Sequence, residues 1–93
     1  MHRATEPEIA EALASIAWER HGEELVKHVR RADFVQALAY VVEVGGLAEQ
    51  EGHRPDIELS YGQVTLRLST HSLSGLSAAD FALARRIAEI DAG

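Results

Sequence analysis

Histidine is the side chain whose unperturbed pKa, about 6.5, lets it give and take protons near neutrality. Of the five histidines, His53 and His71 stand in short segments of small and polar residues, Gly52-His53-Arg54-Pro55-Asp56 and Ser69-Thr70-His71-Ser72. Glu49 precedes His53 at i, i+4 spacing, so the carboxylate and the imidazole share a face if helical geometry persists that far. Three chemistries could use this set. A metal could take His53, His71 and Glu49, but there is no HxxxH or HExxH spacing and no evident fourth ligand. Nucleophilic catalysis is poorly supported: the chain has no cysteine, and Ser69, Thr70 and Ser72 lack the context of a nucleophile elbow. General acid/base work fits best, because a carboxylate can orient an imidazole or raise its basicity. The other histidines read as surface residues: His2 near the start of the chain, His21 at a turn, and His28 on a strand of mixed pattern.

One β-hairpin has to bring the two histidines together. Ile57-Glu58-Leu59-Ser60 and Gln63-Val64-Thr65-Leu66-Arg67-Leu68 alternate apolar and polar residues, the period of a half-buried strand. With Tyr61-Gly62 as the loop, the register pairs Ser60 with Gln63, Leu59 with Val64, Ile57 with Leu66 and Asp56 with Arg67. The apolar residues then share one face. Carried outward, the same register sets His53 almost opposite Thr70, beside His71. The turn is the weak step, because Tyr tolerates positive φ poorly; a four-residue loop over Ser60 to Gln63 would keep the register.

The remaining elements follow from caps and stripes. Thr5-Glu6-Pro7-Glu8 opens a helix whose apolar stripe is Ile9, Leu13 and Ile16. Trp18-Glu19-Arg20-His21 reads as a short strand, and a turn at Gly22-Glu23 leads into a second one, Glu24 to Arg30. Asp33 and Gln36 resemble a capping box that starts a long helix. Its predicted inward face is Phe34, Leu38, Val41, Gly45 and Ala48 or Glu49, and Gly52 is its stop. Gly45-Gly46 costs roughly 1 kcal/mol per glycine relative to Ala, which points to close helix packing, as across a subunit boundary, in preference to a kink. Ser77 and Asp80 form a second box-like pair ahead of a last helix that buries Leu83, Ala84, Ile87 and Ile90. The order α-β-β-α-β-β-α predicts an α+β fold, a four-stranded antiparallel sheet with helices on one face.

At 93 residues the chain reads as a single domain over residues 1–93 with a modest core, which self-association would complete. A net charge of −6 argues against non-specific nucleic-acid binding, which runs on clustered Lys and Arg. Arg30-Arg31 and Arg85-Arg86 are short pairs in acidic surroundings, read as solvated faces. No stretch is a membrane span, the first residues lack a signal-peptide core, and the absence of cysteine excludes disulfides. The cytoplasm is the expected compartment.

Glu49-x-x-x-His53-Arg54-Pro55, then Tyr61, then Leu68-Ser69-Thr70-His71, then Gly75-Leu76-Ser77-x-x-Asp80 resembles the pterin-4a-carbinolamine dehydratases (4a-hydroxytetrahydrobiopterin dehydratases). The likeness runs from about Asp33 to Ile87, and Trp18 with the opening helix also suits it. It implies a lyase that uses neither metal nor organic cofactor and removes water from the 4a-hydroxytetrahydropterin released by aromatic amino acid hydroxylases, giving quinonoid dihydropterin. It implies acid/base roles for His53 and His71, the motif's carboxylate position for Glu49, and pterin contacts from Gly52, His53, Arg54, Pro55, Ser69, Thr70, His71 and Ser72. Asp80 matches the motif's last acid, as a pterin contact or as a helix cap. The departure is Arg54, where the family pattern has a second His, less often Asn. Arg keeps hydrogen-bond donors and can stack on a flat ring, but it cannot accept a proton. Two functions follow from the likeness: a working dehydratase, or a dehydratase-like module that binds protein, since some members serve as a dimerisation cofactor of a transcription factor or as an assembly factor of a carbon-fixing enzyme. Members commonly form homodimers or homotetramers by joining sheets edge to edge and packing long helices.

Overall fold

Thr5 begins the first helix, α1 (Glu6–Ser15), with a reciprocal cap in the computed structural model, which describes residues 2–92. The Glu8 amide donates to Thr5 Oγ1 at 3.4 Å, and the Thr5 amide donates to Glu8 Oε1 at 2.8 Å, so two amides that the helix leaves unpaired find acceptors. Ile9, Ala12 and Ile16 go inward, with Leu13 packed half-buried beside them. The chain then runs through β1 (Glu19–His21), a turn with Gly22 at φ 62, and β2 (Glu24–Arg30). After the long helix α2 (Phe34–Glu51) come β3 (Asp56–Ser60), β4 (Gln63–Leu68), a 3-10 turn (His71–Leu73) and α3 (Ala78–Ala92). The observed order is the predicted one.

The sheet is antiparallel in the order β1-β2-β4-β3, so the two hairpins meet through their inner strands. In the second hairpin Asp56 pairs with Arg67, Ile57 with Leu66, Leu59 with Val64 and Ser60 with Gln63, the predicted register. Leu25, Val29, Val64, Leu66 and Leu68 are buried with the helices against one face, and Ile57 and Leu59 join them at the edge. Lys27 shares that face, opposite Leu66. Its ammonium lies 3.1 Å from Asp91 and 5.9 Å from the centre of the Trp18 ring, so the charge is paired where it leaves water.

The Tyr61-Gly62 loop closes with two residues. Tyr61 takes φ 54, the left-handed conformation that its Cβ disfavours. Gly62 is needed for a different reason: Arg31 donates its amide to the Gly62 carbonyl at 2.7 Å, and a Cβ at residue 62 would stand 2.6 Å from the Arg31 oxygen.

The long helix is rotated from its predicted setting. Asp33 caps it, accepting from the Gln36 amide at 2.9 Å. Its buried face is Ala37, Tyr40, Val44 and Ala48, whereas Phe34 and Leu38, expected inside, are 51% and 44% exposed. Val35 and Val42 are also exposed. Ala37 and Ala48 are small, so a helix that buries them can lie close to the rest of the core. Gly45 and Gly46 do not serve packing within the chain: a Cβ on either would meet nothing within 4 Å. Among the described residues no helix is long and apolar enough to cross a membrane.

Candidate active site

Two helix ends and a strand end converge below the second hairpin. Gly52 stops α2 in the left-handed conformation, φ 65, with its amide directed at the Ala48 and Glu49 carbonyls. The His53 amide donates to the Ala48 carbonyl at 3.1 Å. These bonds use up carbonyls that the helix end leaves free, and they fix where the His53 side chain leaves the backbone. It is directed at the start of α3.

There His53 Nε2 lies 2.6 Å from Asp80 Oδ1. Asp80 is fully buried, and the His53 side chain is 17% exposed. The other carboxylate oxygen, Oδ2, accepts from the Ser77 amide at 2.9 Å and from Thr70 Oγ1 at 2.8 Å. Thr70 Oγ1 also lies 2.7 Å from Ser77 Oγ. The proton positions follow from counting. An ionised carboxylate only accepts, so Nε2 and the Thr70 hydroxyl both donate to it. Thr70 has then spent its one proton, and Ser77 must donate to Thr70. The His53 tautomer assigned by this network carries hydrogen on Nε2 and leaves Nδ1 as the basic nitrogen. Three donors around the buried carboxylate are the surroundings that a charge removed from water requires.

Asp80 is therefore both a helix cap and the partner of an imidazole. The predicted Ser77–Asp80 box is half present. Asp80 reaches back to the Ser77 amide, but the Ser77 hydroxyl turns to Thr70.

His71 comes to the same locality by a different route. Beyond Leu68 the strand ladder ends, and Thr70 forms a bridge with Gly75: the Thr70 amide donates to the Gly75 carbonyl at 2.8 Å, and the Gly75 amide returns at 3.4 Å. His71–Leu73 make a 3-10 turn inside this closed loop, ended by Ser74 at φ 51. Gly75 is tightly overlaid: a Cβ there would meet Arg3 Nε at 2.5 Å and Glu23 Oε2 at 2.8 Å. His71 and Ser72 are exposed, Ser69 is half-buried, and the His71 ring makes no hydrogen bond among the described residues. Thr70, next to His71 in the chain, is thus bonded to the carboxylate that holds His53; the strand ladder itself stops at Asp56–Arg67, and the backbone of Thr70 pairs with Gly75.

Glu49 stands elsewhere. The expected convergence of Glu49 with His53 does not occur: Glu49 Oε2 accepts from Arg54 Nε at 2.6 Å, and the two side chains are 64% and 68% exposed. The left-handed turn at Gly52 breaks the i, i+4 relation, so His53 turns inward and Arg54 takes its place beside Glu49. Thr70 and Asp80, expected to touch a ligand, have their polar atoms committed inside the protein. Pro55 is half-buried and Gly52 exposed at the rim. The carboxylate that holds His53 was missed as such, although the Ser77-x-x-Asp80 spacing was a visible signal for an acid at the start of α3. Among the described residues no three of His, Asp and Glu form a group that could hold a metal ion.

The fold is an α+β domain that holds an imidazole against a buried carboxylate near the open end of a hairpin. The family model described as pterin 4 alpha carbinolamine dehydratase matches residues 2–90. A Chloroflexus aurantiacus protein, provisionally named a pterin-4-alpha-carbinolamine dehydratase, is 47% identical over 91 residues, covering 97% of this chain and 98% of its own. A crystal structure described as a transcriptional coactivator/pterin dehydratase from Brucella melitensis superposes with a TM-score of 0.89 at 29% identity, over 96% of this chain and 98% of that one. A pterin dehydratase-like protein described as a RuBisCO assembly factor in the alpha-carboxysome shares the fold, with a TM-score of 0.64 at 22% identity over 82% and 88% of the two chains. The chain belongs to the pterin-4a-carbinolamine dehydratase family.

Proposed function

We propose that this chain is a hydro-lyase that converts 4a-hydroxytetrahydropterin to quinonoid dihydropterin, the dehydration step of tetrahydrobiopterin recycling. In the reaction the C4a–O bond breaks, the departing hydroxyl takes a proton and leaves as water, the N5 proton is lost, and a C4a=N5 double bond forms. One group must give a proton and one must take a proton, with no change of oxidation state. His53 and His71 divide these tasks, with Nδ1 of His53 as its proton-handling atom. Gly52, Arg54, Pro55, Ser69 and Ser72 form the rim that a flat pterin would lie against. No metal or organic cofactor enters the scheme. The reading places the protein in the cytoplasm, a reducing compartment suited to reduced pterins.

The observation that carries this reading is the His53–Asp80 contact of 2.6 Å. A buried carboxylate that selects the tautomer of an imidazole is an arrangement that acid/base chemistry needs. The test is carbinolamine dehydration followed by absorbance for wild type, His53→Ala, His71→Ala and Arg54→His. A wild-type rate well above the uncatalysed one, lowered at least tenfold by each alanine, supports the lyase. A wild-type rate equal to the uncatalysed one removes it, and recovery in Arg54→His would then make Arg54 the cause.

The second reading is a dehydratase-like protein-binding module. It is favoured by Arg54, by the coactivator description of the Brucella relative, and by the apolar outer face of α2. Phe34, Leu38 and Val42 lie along that face at i, i+4 and i+8, with Val35 and Gly45-Gly46 beside them. A two-fold axis crossing α2 between Leu38 and Val42 would set Phe34 of each copy against the glycines of the other, giving them the close contact they lack within the chain. A homodimer or homotetramer is the first partner expected of this face. Light scattering at micromolar concentration should give a multiple of the chain mass, and Leu38→Glu should reduce it.

A further inference from the structure

The network around Asp80 contains a residue gripped on two sides. Thr70 is buried. Its side chain donates to Asp80 Oδ2 at 2.8 Å and accepts from Ser77 Oγ at 2.7 Å. Its backbone forms both bonds of the bridge to Gly75 that closes the loop carrying His71. One residue therefore holds the carboxylate that orients His53 and also anchors the turn from which His71 projects.

We propose that Thr70 is the positioning residue of the site, setting the tautomer of His53 and its separation from His71, with Ser77 as the donor that orients the Thr70 hydroxyl. The physical reason lies in how Asp80 is held. With only the Ser77 amide on Oδ2, the carboxylate could swing about its Cβ–Cγ bond, and Oδ1 would no longer be confined to the line toward Nε2. The second donor, from Thr70, removes that freedom. The Thr70 hydroxyl could itself rotate to donate to Ser77 instead, which would leave Asp80 short of a donor. The Ser77 hydroxyl, fully buried, prevents this by supplying the proton on the other side. Thr70 touches no substrate in this scheme and acts through Asp80, His53 and the backbone of the loop.

The inference rests on the dehydratase reading for its kinetic consequence but not for its structural one, so the test has two arms. The first arm is nitrogen-15 NMR of the histidine rings in the intact protein, which reports the tautomer of His53 without any turnover. Thr70→Val keeps the shape and removes the hydroxyl, whereas Thr70→Ser restores it. Wild type and Thr70→Ser should show His53 with hydrogen on Nε2, and Thr70→Val a mixture of tautomers. The second arm is the pH profile of dehydration. Thr70→Val should lower kcat by about tenfold to a hundredfold and shift the limb that reports His53, with KM changed less than threefold. Thr70→Ser should stay within threefold of wild type on both. A Thr70→Val protein with wild-type His53 tautomer would overturn the proposal, as would a Thr70→Ser protein as impaired as Thr70→Val. Wild type that shows the predicted tautomer pattern but no dehydration would overturn the enzyme reading while leaving the structural role of Thr70 standing. Should Thr70→Val fail to fold, Ser77→Ala acts through the same Thr70 hydroxyl by removing the donor that orients it: a smaller tautomer shift is expected, and a wild-type His53 tautomer would overturn the proposal.

Discussion

Replacing Asp80 by Asn changes one heavy atom of the buried network and should reverse its polarity. Two donors, the Ser77 amide and the Thr70 hydroxyl, already converge on one oxygen, so the amide oxygen of Asn has to take that place. The NH2 group then faces His53 across the 2.6 Å contact. An NH2 group donates, so Nε2 must become the acceptor and the ring proton must move to Nδ1. The nitrogen left free for proton transfer is then no longer basic. Loss of one general acid/base is worth about 10²–10⁴ in rate, which is about 3–5 kcal/mol of barrier. Stability should fall by about 2 kcal/mol, because charge-assisted bonds become neutral ones while the cost of burying a charge is relieved. For a domain of this size that is a drop in Tm of about 8–16 °C. Stopped-flow dehydration at a temperature where both proteins are folded, read beside calorimetry, measures both quantities. An Asn variant that folds and turns over within threefold of wild type would refute the assignment of Asp80 as the group that sets His53.

The hairpin loop gives a pair of opposite changes: Tyr61→Gly should stabilise by relieving a left-handed Tyr, offset in part by glycine's entropy, for a net gain of up to about 1 kcal/mol. Gly62→Ala should cost more than that, since its Cβ would stand 2.6 Å from the Arg31 carbonyl; denaturant midpoints check both. Hydrogen bonds from Thr5 hold the Glu8 carboxyl below its ordinary value of 4.5, and the Arg20 guanidinium does the same for Glu6. A lowered folded pKa contributes stability that is present above 4.5 and lost as pH falls through the folded value, so urea midpoints should decline below about pH 4.5, less steeply in Thr5→Ala. Burial, with Asp91 nearby, raises the Tyr40 phenol above its ordinary value of 10.0; its contribution is complete below 10.0 and lost as pH rises, so in Tyr61→Phe, which leaves Tyr40 as the reporting tyrosine, tyrosinate absorbance should rise together with alkaline unfolding.

The elements that could be read from the chain are those whose signals are local. Strand alternation in Ile57–Leu68 needs only neighbouring residues, and the pairs from Asp56–Arg67 to Ser60–Gln63 match the structure. Thr5, Asp33 and Gly52 announce helix ends because the unpaired amides and carbonyls there demand a particular chemistry, and each cap is present. The face of α2 could not be read in the same way. Its apolar residues lie nearly all round the helix, so more than one stripe satisfies the period. The choice of Ala37, Tyr40, Val44 and Ala48 depends on how closely the helix can approach the sheet.

For the site, the residue order already names the members: two histidines flanking one hairpin, a Thr beside one of them, and an acid opening the last helix. Register suggests the two histidines and the Thr, because a strand ladder advances one residue at a time, whereas the acid comes from the resemblance to the dehydratase motif. Tertiary structure alone decided which carboxylate serves which imidazole. Glu49 lies nearer to His53 along the chain, but the left-handed turn at Gly52 swings the ring inward to Asp80 and leaves Glu49 to Arg54. Burial then makes the difference in kind, since a carboxylate enclosed by three donors holds its direction, and one in solvent does not.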